Sequence, residues 1–260
     1  MSFDQKAEGF SGEELKSPRS RYILSRQKEL ILDLVAPQAG ERILDIGCGT
    51  GNHLKFFDGK KCSLTGLDFS GVKPEISPKK YGGRVELISG QAQDIPFSDD
   101  EFDIVTIINF LEIADDPRRV VEEAIRVCRG RVFIGFLNNY SLAGSRQRLK
   151  EIFGFPLSQE MRFFSFPEIR NMVKSLAGDT VIKWGSVIYF PRFVYDIFEE
   201  PEEVFPFRNN PFGAFIGLTF PVKYIYRTAQ SPIMNSFKLK TEAPGTAPEV
   251  VRDMLRHTCK

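Results

Sequence analysis

Apolar residues recur in two rhythms along the chain, and the alternation between these rhythms predicts a layered α/β fold. In residues 20–37 (SRYILSRQKELILDLVAP) they return with the period of an amphipathic helix, and a proline ends the segment. Short, nearly continuous apolar runs follow, each bounded by glycine or by polar residues. These runs predict strands at residues 41–47, 61–69, 84–90, 102–110 and 130–138.

Helices are predicted between these strands. Residues 52–57 follow the first strand, and residues 72–81 contain two prolines, so a helix there is short or broken. Residues 116–129 form an amphipathic pattern that Asp116 can cap, with Pro117 at the first helical position. Buried strands that alternate with helices indicate a doubly wound, Rossmann-like parallel sheet that is covered on both faces.

The rhythm changes beyond the fifth strand. Residues 164–178 predict a helix that a glycine ends, and residues 179–191 and 211–228 predict two long strands. The residues between those strands include an acidic, proline-rich segment, 196–210, which we expect to be a loop.

The domain organisation follows from these elements. We expect one domain over residues 18–228, with insertions or a cap at 140–164 and 192–212. Residues 1–17 are polar and are expected to form a flexible N-terminus. Residues 229–260 contain few apolar residues and are expected to form a peripheral tail.

Composition excludes several classes of function. The 260 residues carry a formal net charge of +1, so no basic field favours long nucleic acid. The four cysteines show no metal-ligand spacing, and we expect no metal site and reduced thiols in the cytoplasm. The N-terminus has no secretory signal, and the longest apolar stretch, FGAFIGLTF, is too short to cross a membrane. The 24 phenylalanines either fill the core or wall an apolar pocket.

A glycine turn with a nearby acid marks the candidate ligand site. Ligands of parallel sheets bind at the carboxyl ends of strands, where Gly47, Gly49 and Gly51 follow the first predicted strand. A dinucleotide fingerprint would place its third glycine one position later. The carboxylate of Asp45 beside a diphosphate would cost about 1–4 kcal/mol, whereas it suits an ammonium group. We expect the following helix to receive the carboxylate of the same amino acid at its N-terminus.

Asp68 ends the second predicted strand and can accept both hydroxyls of a ribose. An amino acid joined to a ribose describes S-adenosylmethionine. The runs ILDIGCGTGNHL, LTGLDFS, GQAQDIPF and FDIVTIINFLEIADDP, in this order, resemble the class I S-adenosylmethionine-dependent methyltransferases, small-molecule type 11. The resemblance covers residues 40–138 well and the two terminal strands more loosely. It implies a seven-stranded, mostly parallel sheet with a terminal antiparallel strand and a small cap.

The resemblance also implies the roles of individual residues. Asp45 and the backbone of the glycine turn would meet the methionine part, Asp68 the ribose, and Asn109 the region of the sulfonium. The cofactor-binding residues implied in this way are Asp45, Gly47, Cys48, Gly49, Asp68, Phe69, Gln91, Ala92 and Asn109. Phe69 would lie against the adenine, with the Ala92 N–H donating to the ring. S-adenosylhomocysteine would be the product, and a small molecule the methyl acceptor.

Two departures from the family pattern bear on these roles. Gln91 stands where relatives commonly have Asp, although its amide oxygen can still accept from the adenine amino group. Leu-Glu-Ile stands at 111–113 where many relatives have Leu-Glu-His, which excludes a histidine base there. Glu112 and Tyr140 remain as candidate catalytic residues, and the alternatives are that Glu112 braces the loop and that Tyr140 packs at a strand end.

Other functions compete with methyl transfer to a small molecule. A methyltransferase acting on RNA or protein could present the arginines of residues 118–131, although the neighbouring Glu122 and Glu123 favour a solvated helix face. A methyltransferase-like binding protein without turnover is a third reading. A nicotinamide-dependent oxidoreductase is disfavoured by the glycine spacing and by Asp45. The sequence specifies neither the acceptor nor an oligomeric state.

Overall fold

The apolar runs predicted from the sequence form the strands of one seven-stranded sheet. The strands are β1 (Arg42–Ile46), β2 (Ser63–Asp68), β3 (Val85–Ser89), β4 (Phe102–Ile108), β5 (Cys128–Leu137), β6 (Lys183–Val187) and β7 (Phe215–Pro221). Their order in the sheet is β3-β2-β1-β4-β5-β7-β6. Strands β1 to β5 pair in parallel, and β7 lies antiparallel between β5 and β6. The predicted mostly parallel sheet with a terminal antiparallel strand is confirmed.

The computed structural model describes residues 18–69, 85–141, 161–190, 192–198, 202 and 210–222. The chain divides into two compact units, Met1–Tyr224 and Ile225–Lys260, and all described residues belong to the first. The predictions for residues 1–17, 72–81 and 229–260, and for most of the cap at 140–164, lie outside the described residues.

Helices cover both faces of this sheet, as alternating side chains along the strands require. They are α1 (Pro18–Val35), α2 (Pro117–Val127), α3 (Phe166–Ala177) and the short α4 (Arg192–Ile197). Ile23 and Ile31 of α1 pack in one apolar cluster with Ile43 of β1. Leu44, the next residue of β1, packs in the opposite cluster with the apolar faces of α2 and α3. Successive strand residues point to opposite faces, so each strand contributes to both clusters.

The ends of two helices follow local signals in the sequence. The Asp116 side chain accepts a hydrogen bond from the Arg119 N–H at the start of α2, and Pro117 occupies the first turn, as predicted. Ser165 and Glu168 form a capping box at the start of α3. Gly178, with φ of 72°, ends α3 in a conformation that side chains disfavour.

Four predicted elements differ from the structure, and one of them is the strand predicted at 211–228, of which only Phe215–Pro221 is a strand among the described residues. Residues 52–57 do not form an α-helix but a four-residue 3₁₀ turn, Leu54–Phe57, because glycines on both sides leave too few residues for a stable helix. β6 ends at Val187, since Ile188 adopts a positive φ of 69° that breaks the extended backbone. The predicted loop at 196–210 is wrong at its start, where α4 continues to Ile197.

Helix α1 is fastened at its C-terminal end and at its middle. At its C-terminal end the Arg131 guanidinium donates to the carbonyls of Val35 and Ala36, at 2.5 and 3.0 Å. At its middle the Arg26 Nε lies 3.5 Å from a carboxylate oxygen of the buried Glu202. Glu202 belongs to the connection between β6 and β7, so α1 holds this connection beside the sheet.

Candidate active site

The glycine turn after β1 is folded against the end of β2. The N–H groups of Gly47 and Cys48 both donate to the Leu67 carbonyl, at 2.8 and 3.1 Å, and the Gly51 N–H donates to the Cys48 carbonyl at 2.7 Å. Gly47, Gly49 and Gly51 all adopt positive φ. The alternate glycines predicted to shape a ligand turn therefore supply the backbone conformations that this turn requires.

Asp68 reaches the same turn from β2. One oxygen of its carboxylate accepts a hydrogen bond from the Gly49 N–H at 2.7 Å. The structure thus brings together the glycine turn and the acid that the sequence paired with it. The N–H groups of Gly47, Cys48 and Gly49 all have acceptors within the chain. With the α-helix replaced by a 3₁₀ turn, the predicted receptor for a carboxylate at a helix N-terminus is wrong.

Phe110 is a part of this turn that the sequence reasoning missed. A side chain at Gly47 would overlap the ring of Phe110, which lies directly on the glycine. Gly47 is therefore required for two reasons, its positive φ and the close approach of this ring. The signal available in the sequence was only the position of Phe110, just past the end of β4.

Asp45 is buried at the end of β1 with half of its carboxylate unpartnered. Its side chain is almost inaccessible, and Oδ1 accepts a hydrogen bond from the Thr106 hydroxyl at 2.7 Å. Oδ2 has no hydrogen-bond partner in the described part of the chain. Burial raises the pKa of Asp45 to about 7, the Thr106 hydroxyl opposes this rise, and the charge of Asp68 adds to it.

Asn109 presents a second set of unpartnered atoms at the end of β4. Its backbone has a left-handed φ of 53°, which Asn tolerates better than most residues, and its N–H donates to the Gly135 carbonyl at 2.9 Å. Both the oxygen and the nitrogen of its side-chain amide are buried without a partner among the described residues. Strands β1 and β4 are neighbours in the sheet, and both thus have buried polar atoms at their ends that lack a hydrogen-bond partner among the described residues.

Glu112 joins the β4 loop to the end of β5. Its buried carboxylate accepts the Leu137 N–H at 2.6 Å through Oε1, while Oε2 has no partner within the residues described. Burial raises the pKa of Glu112 to about 7, against the lowering effect of hydrogen bonds from the Leu137 N–H and its own N–H. Oε1 therefore braces the loop, which is one of the two predicted roles of Glu112. Oε2 has no partner in the described chain, as the other predicted role, that of a catalytic residue, requires.

Tyr140 lies at the surface beyond β5. Its side chain is 65% exposed, and its N–H donates to Asn138 Oδ1 at 3.1 Å. The Asn138 amide nitrogen donates to the carbonyls of Pro211 and Gly213, at 2.7 and 2.9 Å. Asn138 therefore fixes the segment just before β7 to the end of β5.

The predicted adenine side lies beyond β2 and β3. Phe69, directly after Asp68, is 59% exposed, which suits a ring expected to stack on a ligand. Gln91 and Asp94 form an isolated bridge within a turn, with Ala92 buried between them. No helix begins at Asp94 in the described part of the chain, which continues there as bends and turns. The roles of Phe69, Gln91 and Ala92 toward adenine stay predictions.

Two reactive residue types in this region have structural roles. Cys48 is buried with its sulfur against Gly66, and burial, together with the charges of Asp45 and Asp68, raises the pKa of its thiol. Cys48 therefore fills space beside the turn and is not a nucleophile. Half-buried His53 packs edge-on against Phe56, and burial lowers its pKa to about 4, so it is neutral at pH 7.

Arg162 packs against a neighbouring phenylalanine. The Arg162 guanidinium lies 4.8 Å from the ring centre of the buried Phe164, and its side chain is exposed. Within the described ranges, no group of three or more His, Cys, Asp and Glu side chains could hold a metal ion. A search of the same residues finds no helix with the length and apolarity that a membrane crossing needs.

Comparisons with known proteins identify the family to which the chain belongs. Residues 44–134 match the family model described as "Methyltransferase domain". A demethylmenaquinone methyltransferase of Bacillus velezensis is 35% identical over 185 residues, which cover 61% of this chain and 79% of the relative. One of Clavibacter sepedonicus is 39% identical over 104 residues, which cover 38% of this chain and 42% of that protein.

A solved structure of a SAM-dependent methyltransferase from Thermotoga maritima shares the fold, with a TM-score of 0.54 and 19% identity. The similarity covers 79% of this chain and 99% of that one. The chain therefore belongs to the class I S-adenosylmethionine-dependent methyltransferases, as the sequence motifs indicated. It spans about half the length of the first curated relatives, 42% and 63% of the first two.

The contact between Gly47 and Phe110 yields a first prediction. Gly47→Ala should lower the free energy of unfolding by about 2–4 kcal/mol, because left-handed strain and overlap with the ring both oppose the new methyl group. Gly40→Ala is the matched control, since Gly40 has a φ of 88° but open space around it, and should cost about 1 kcal/mol. Urea unfolding measures both. Equal costs would contradict the close approach of Phe110.

Proposed function

We propose that the chain binds S-adenosylmethionine at the carboxyl ends of β1, β2 and β4 and transfers its methyl group to a small organic acceptor. The buried, unpartnered oxygen of Asp45 and amide of Asn109, which lie at the ends of the neighbouring strands β1 and β4, carry this proposal. Each unpartnered buried group costs about 1–3 kcal/mol, which a polar ligand would recover. When bound, S-adenosylmethionine supplies an activated methyl group on a sulfonium, which needs no further activation by the protein.

The residues present fit the methionine part of this cofactor. The carboxylate of Asp45 would bind the ammonium group, and Asn109, with both a donor and an acceptor, would meet either charged group of the amino acid. Because the N–H groups of Gly47, Cys48 and Gly49 are already bonded, we expect these residues to contribute close approach and carbonyl oxygens. This arrangement differs from the sequence-based assignment, in which the N–H groups of a helix after the glycine turn would bind the carboxylate of the amino acid.

The nucleoside part extends the site toward β2 and β3. Asp68 would bind the ribose hydroxyls, with its bond to the Gly49 N–H fixing the orientation of the carboxylate. Exposed Phe69 would stack on adenine. Gln91 would accept from the adenine amino group, and the Ala92 N–H would donate to the ring.

Holding the acceptor in line with the sulfonium and the methyl group supplies most of the catalysis. Glu112 is the group best suited to take a proton from an acceptor that arrives protonated, because its free oxygen is buried and its pKa is about 7. We assign Tyr140 to the mouth of the site, where its exposed ring would contact the acceptor.

A small organic acceptor is favoured over RNA or protein. The net charge of +1 offers no broad basic field, and Arg118 and Arg119 are paired with glutamates on their own helix. Several relatives are named for methyl transfer to demethylmenaquinone, which supports an organic acceptor.

The proposed function is tested in two steps. S-adenosylhomocysteine, but not NAD, should raise the melting temperature, since only the former matches the site. Methyl-labelled S-adenosylmethionine is then incubated with panels of small organic molecules, RNA fragments and proteins. Label in a small molecule supports the proposal, and label in RNA or protein alone would reject the acceptor class. Binding without transfer to any panel would favour a protein without turnover.

The pKa of Asp45 predicts how binding depends on pH. Only the carboxylate form binds an ammonium, and the pKa is about 7 in the free protein, so affinity for S-adenosylhomocysteine should fall about tenfold per pH unit below that value. Above pH 7 the affinity should level off, because the ligand's α-ammonium, beside its own carboxylate, keeps its proton throughout this range. Titration calorimetry between pH 5 and pH 8 measures the profile.

Asp45→Asn is the variant that isolates this effect. It keeps an acceptor for the Thr106 hydroxyl but removes the titrating group, so binding at pH 7.5 should weaken and the slope below pH 7 should disappear. The raised pKa of Asp45 also affects the stability of the ligand-free wild type. Only the folded state holds the proton between about pH 4 and 7, so the stability contribution of Asp45 is complete below about pH 4 and is lost as the pH rises through about 7. A wild-type binding profile without a slope would exclude Asp45 as the ammonium partner.

Glu112→Gln separates the two roles of Glu112. The amide oxygen can still accept the Leu137 N–H, so the brace is kept while the proton-accepting carboxylate is lost. If Glu112 is the base, kcat should fall by about 10²–10⁴, with S-adenosylhomocysteine affinity unchanged and the inflection near pH 7 absent. The measurement is the pH profile of methyl transfer to the acceptor found in the panel. An unchanged kcat would leave Glu112 as a brace only.

A further inference from the structure

One face of α2 holds the loop Gln91–Phe97, which we call the adenine loop because the proposed function assigns adenine to its first two residues. Glu123 of α2 is buried despite its charge, and its Oε2 accepts a hydrogen bond from the Ile95 N–H at 3.0 Å. Arg126, one turn later, donates to the carbonyls of Ile95 and Phe97, both at 2.9 Å. Both backbone polar groups of Ile95 therefore bond to side chains of α2.

The grip extends along the loop and along the helix. Arg119 donates through Nε to the Gln93 carbonyl at 3.2 Å, and its Nη2 lies 3.3 Å from Glu123. Arg126 and Glu123 are themselves paired at 2.7 Å, so Glu123 joins the two arginines. The three side chains thus act on Gln93, Ile95 and Phe97 as one network.

This network is a different arrangement from the solvated charge pattern that the sequence indicated. Glu122 fits that pattern, because it is partly exposed and pairs with Arg118 and Arg119 on its own helix. Glu123, one residue on, points inward and reaches a different segment of the chain. Burial raises the pKa of Glu123, but the hydrogen bonds from Arg126 and from the Ile95 N–H, together with the charges of Arg126 and Arg119, bring the pKa below its ordinary value, so Glu123 acts as a charged acceptor.

The adenine loop contains neither a helix nor a strand, so its backbone groups need partners from elsewhere. Its two ends are bound differently. Gly90, just before the loop, donates to the Asp68 carbonyl at 3.2 Å, whereas the far end is bonded to α2. Gln91 and Ala92 lie between these anchors. A loop fixed on both sides presents its N–H and amide groups without an ordering cost when a ligand binds.

We propose that Glu123 and Arg126 are positioning residues for base recognition, which hold the adenine loop so that Gln91 and Ala92 distinguish adenine from other purines. This inference rests on the proposed function. Adenine donates from its amino group and accepts at the neighbouring ring nitrogen, and hypoxanthine reverses both properties. A loop in fixed register therefore favours S-adenosylhomocysteine over S-inosylhomocysteine, and a loosened loop loses that preference.

The test measures the ratio of the dissociation constants of these two ligands by titration calorimetry. The wild type should prefer the adenine compound by at least about tenfold. Glu123→Gln removes the ion pairs with both arginines, and Arg126→Lys keeps the charge but loses the fork that reaches two carbonyls. In each variant the ratio should fall about tenfold, toward equal binding. Glu122→Gln, on the same helix, should retain the wild-type ratio.

The ratio separates positioning from a general loss of structure, which would weaken both ligands alike. Melting temperatures and circular dichroism establish that each variant is folded. A ratio that is unchanged in the folded Glu123→Gln and Arg126→Lys proteins would overturn the inference. A wild type that binds S-adenosylhomocysteine but shows no preference would also overturn it, while leaving the proposed function intact. A wild type that does not bind S-adenosylhomocysteine would reject the proposed function, and this inference with it.

Discussion

The direction of strand addition reverses between β1 and β4, and the candidate site depends on that reversal. From β1 the chain builds outward to β2 and β3 on one side, then crosses back to place β4 on the other. The segments that follow β1 and β4 therefore lead to opposite faces of the sheet, an arrangement in which ligands bind at the carboxyl ends of the two strands, and Phe110 after β4 packs on Gly47 after β1. Asp45 lies near the end of β1, and Asn109 lies just beyond β4.

Burying polar groups at the ends of these strands costs free energy, and this cost is visible in their unpartnered atoms and raised pKa values. Unpartnered buried atoms in Asp45, Asn109 and Glu112 each oppose folding in the absence of a ligand. Burial also brings the pKa of both carboxyls to about 7, so at neutral pH each exchanges its proton readily. A core evolved only for stability would contain apolar side chains at these positions. Polar groups retained at such a cost indicate binding and proton transfer.

The fold could be predicted from the sequence where interactions between neighbouring residues decide the structure. Continuous apolar runs located the strands, and Asp116 with Pro117 located the start of α2. The sequence was insufficient where contacts between distant segments decide the structure, as in the packing of Phe110 on Gly47, which depends on the parallel pairing of β1 and β4. The 3₁₀ turn at Leu54–Phe57 is a different case, because its helix-like pattern is too short to propagate as an α-helix.

The same limit explains why the sequence located the acids of the site but not the state of its backbone. Asp45 and Asp68 were recognisable because each ends an apolar run, a property of a few neighbouring residues. Free N–H groups were expected at the start of a helix after Gly51, but that helix is a 3₁₀ turn, and the N–H groups of Gly47, Cys48 and Gly49 are bonded to a carbonyl of β2 and to the side chain of Asp68. Only the sheet register brings these acceptors to the turn. The contrast between Glu122 and Glu123 has the same origin, since their spacing is helical but their partners are tertiary.

Glu112 connects the binding and the chemistry of this site. Its Oε1 is fixed by the Leu137 N–H, so the carboxyl group cannot rotate freely and the position of Oε2 is set by the end of β5. In the proposed role of base, a carboxylate held in this way would lose little entropy when an acceptor binds, and a pKa of about 7 would let it accept a proton at neutral pH and release it after transfer. A histidine at position 113 would titrate in the same range without burial. In this chain burial tunes a carboxylate to the same range, so the absent histidine does not by itself remove the capacity for general base catalysis.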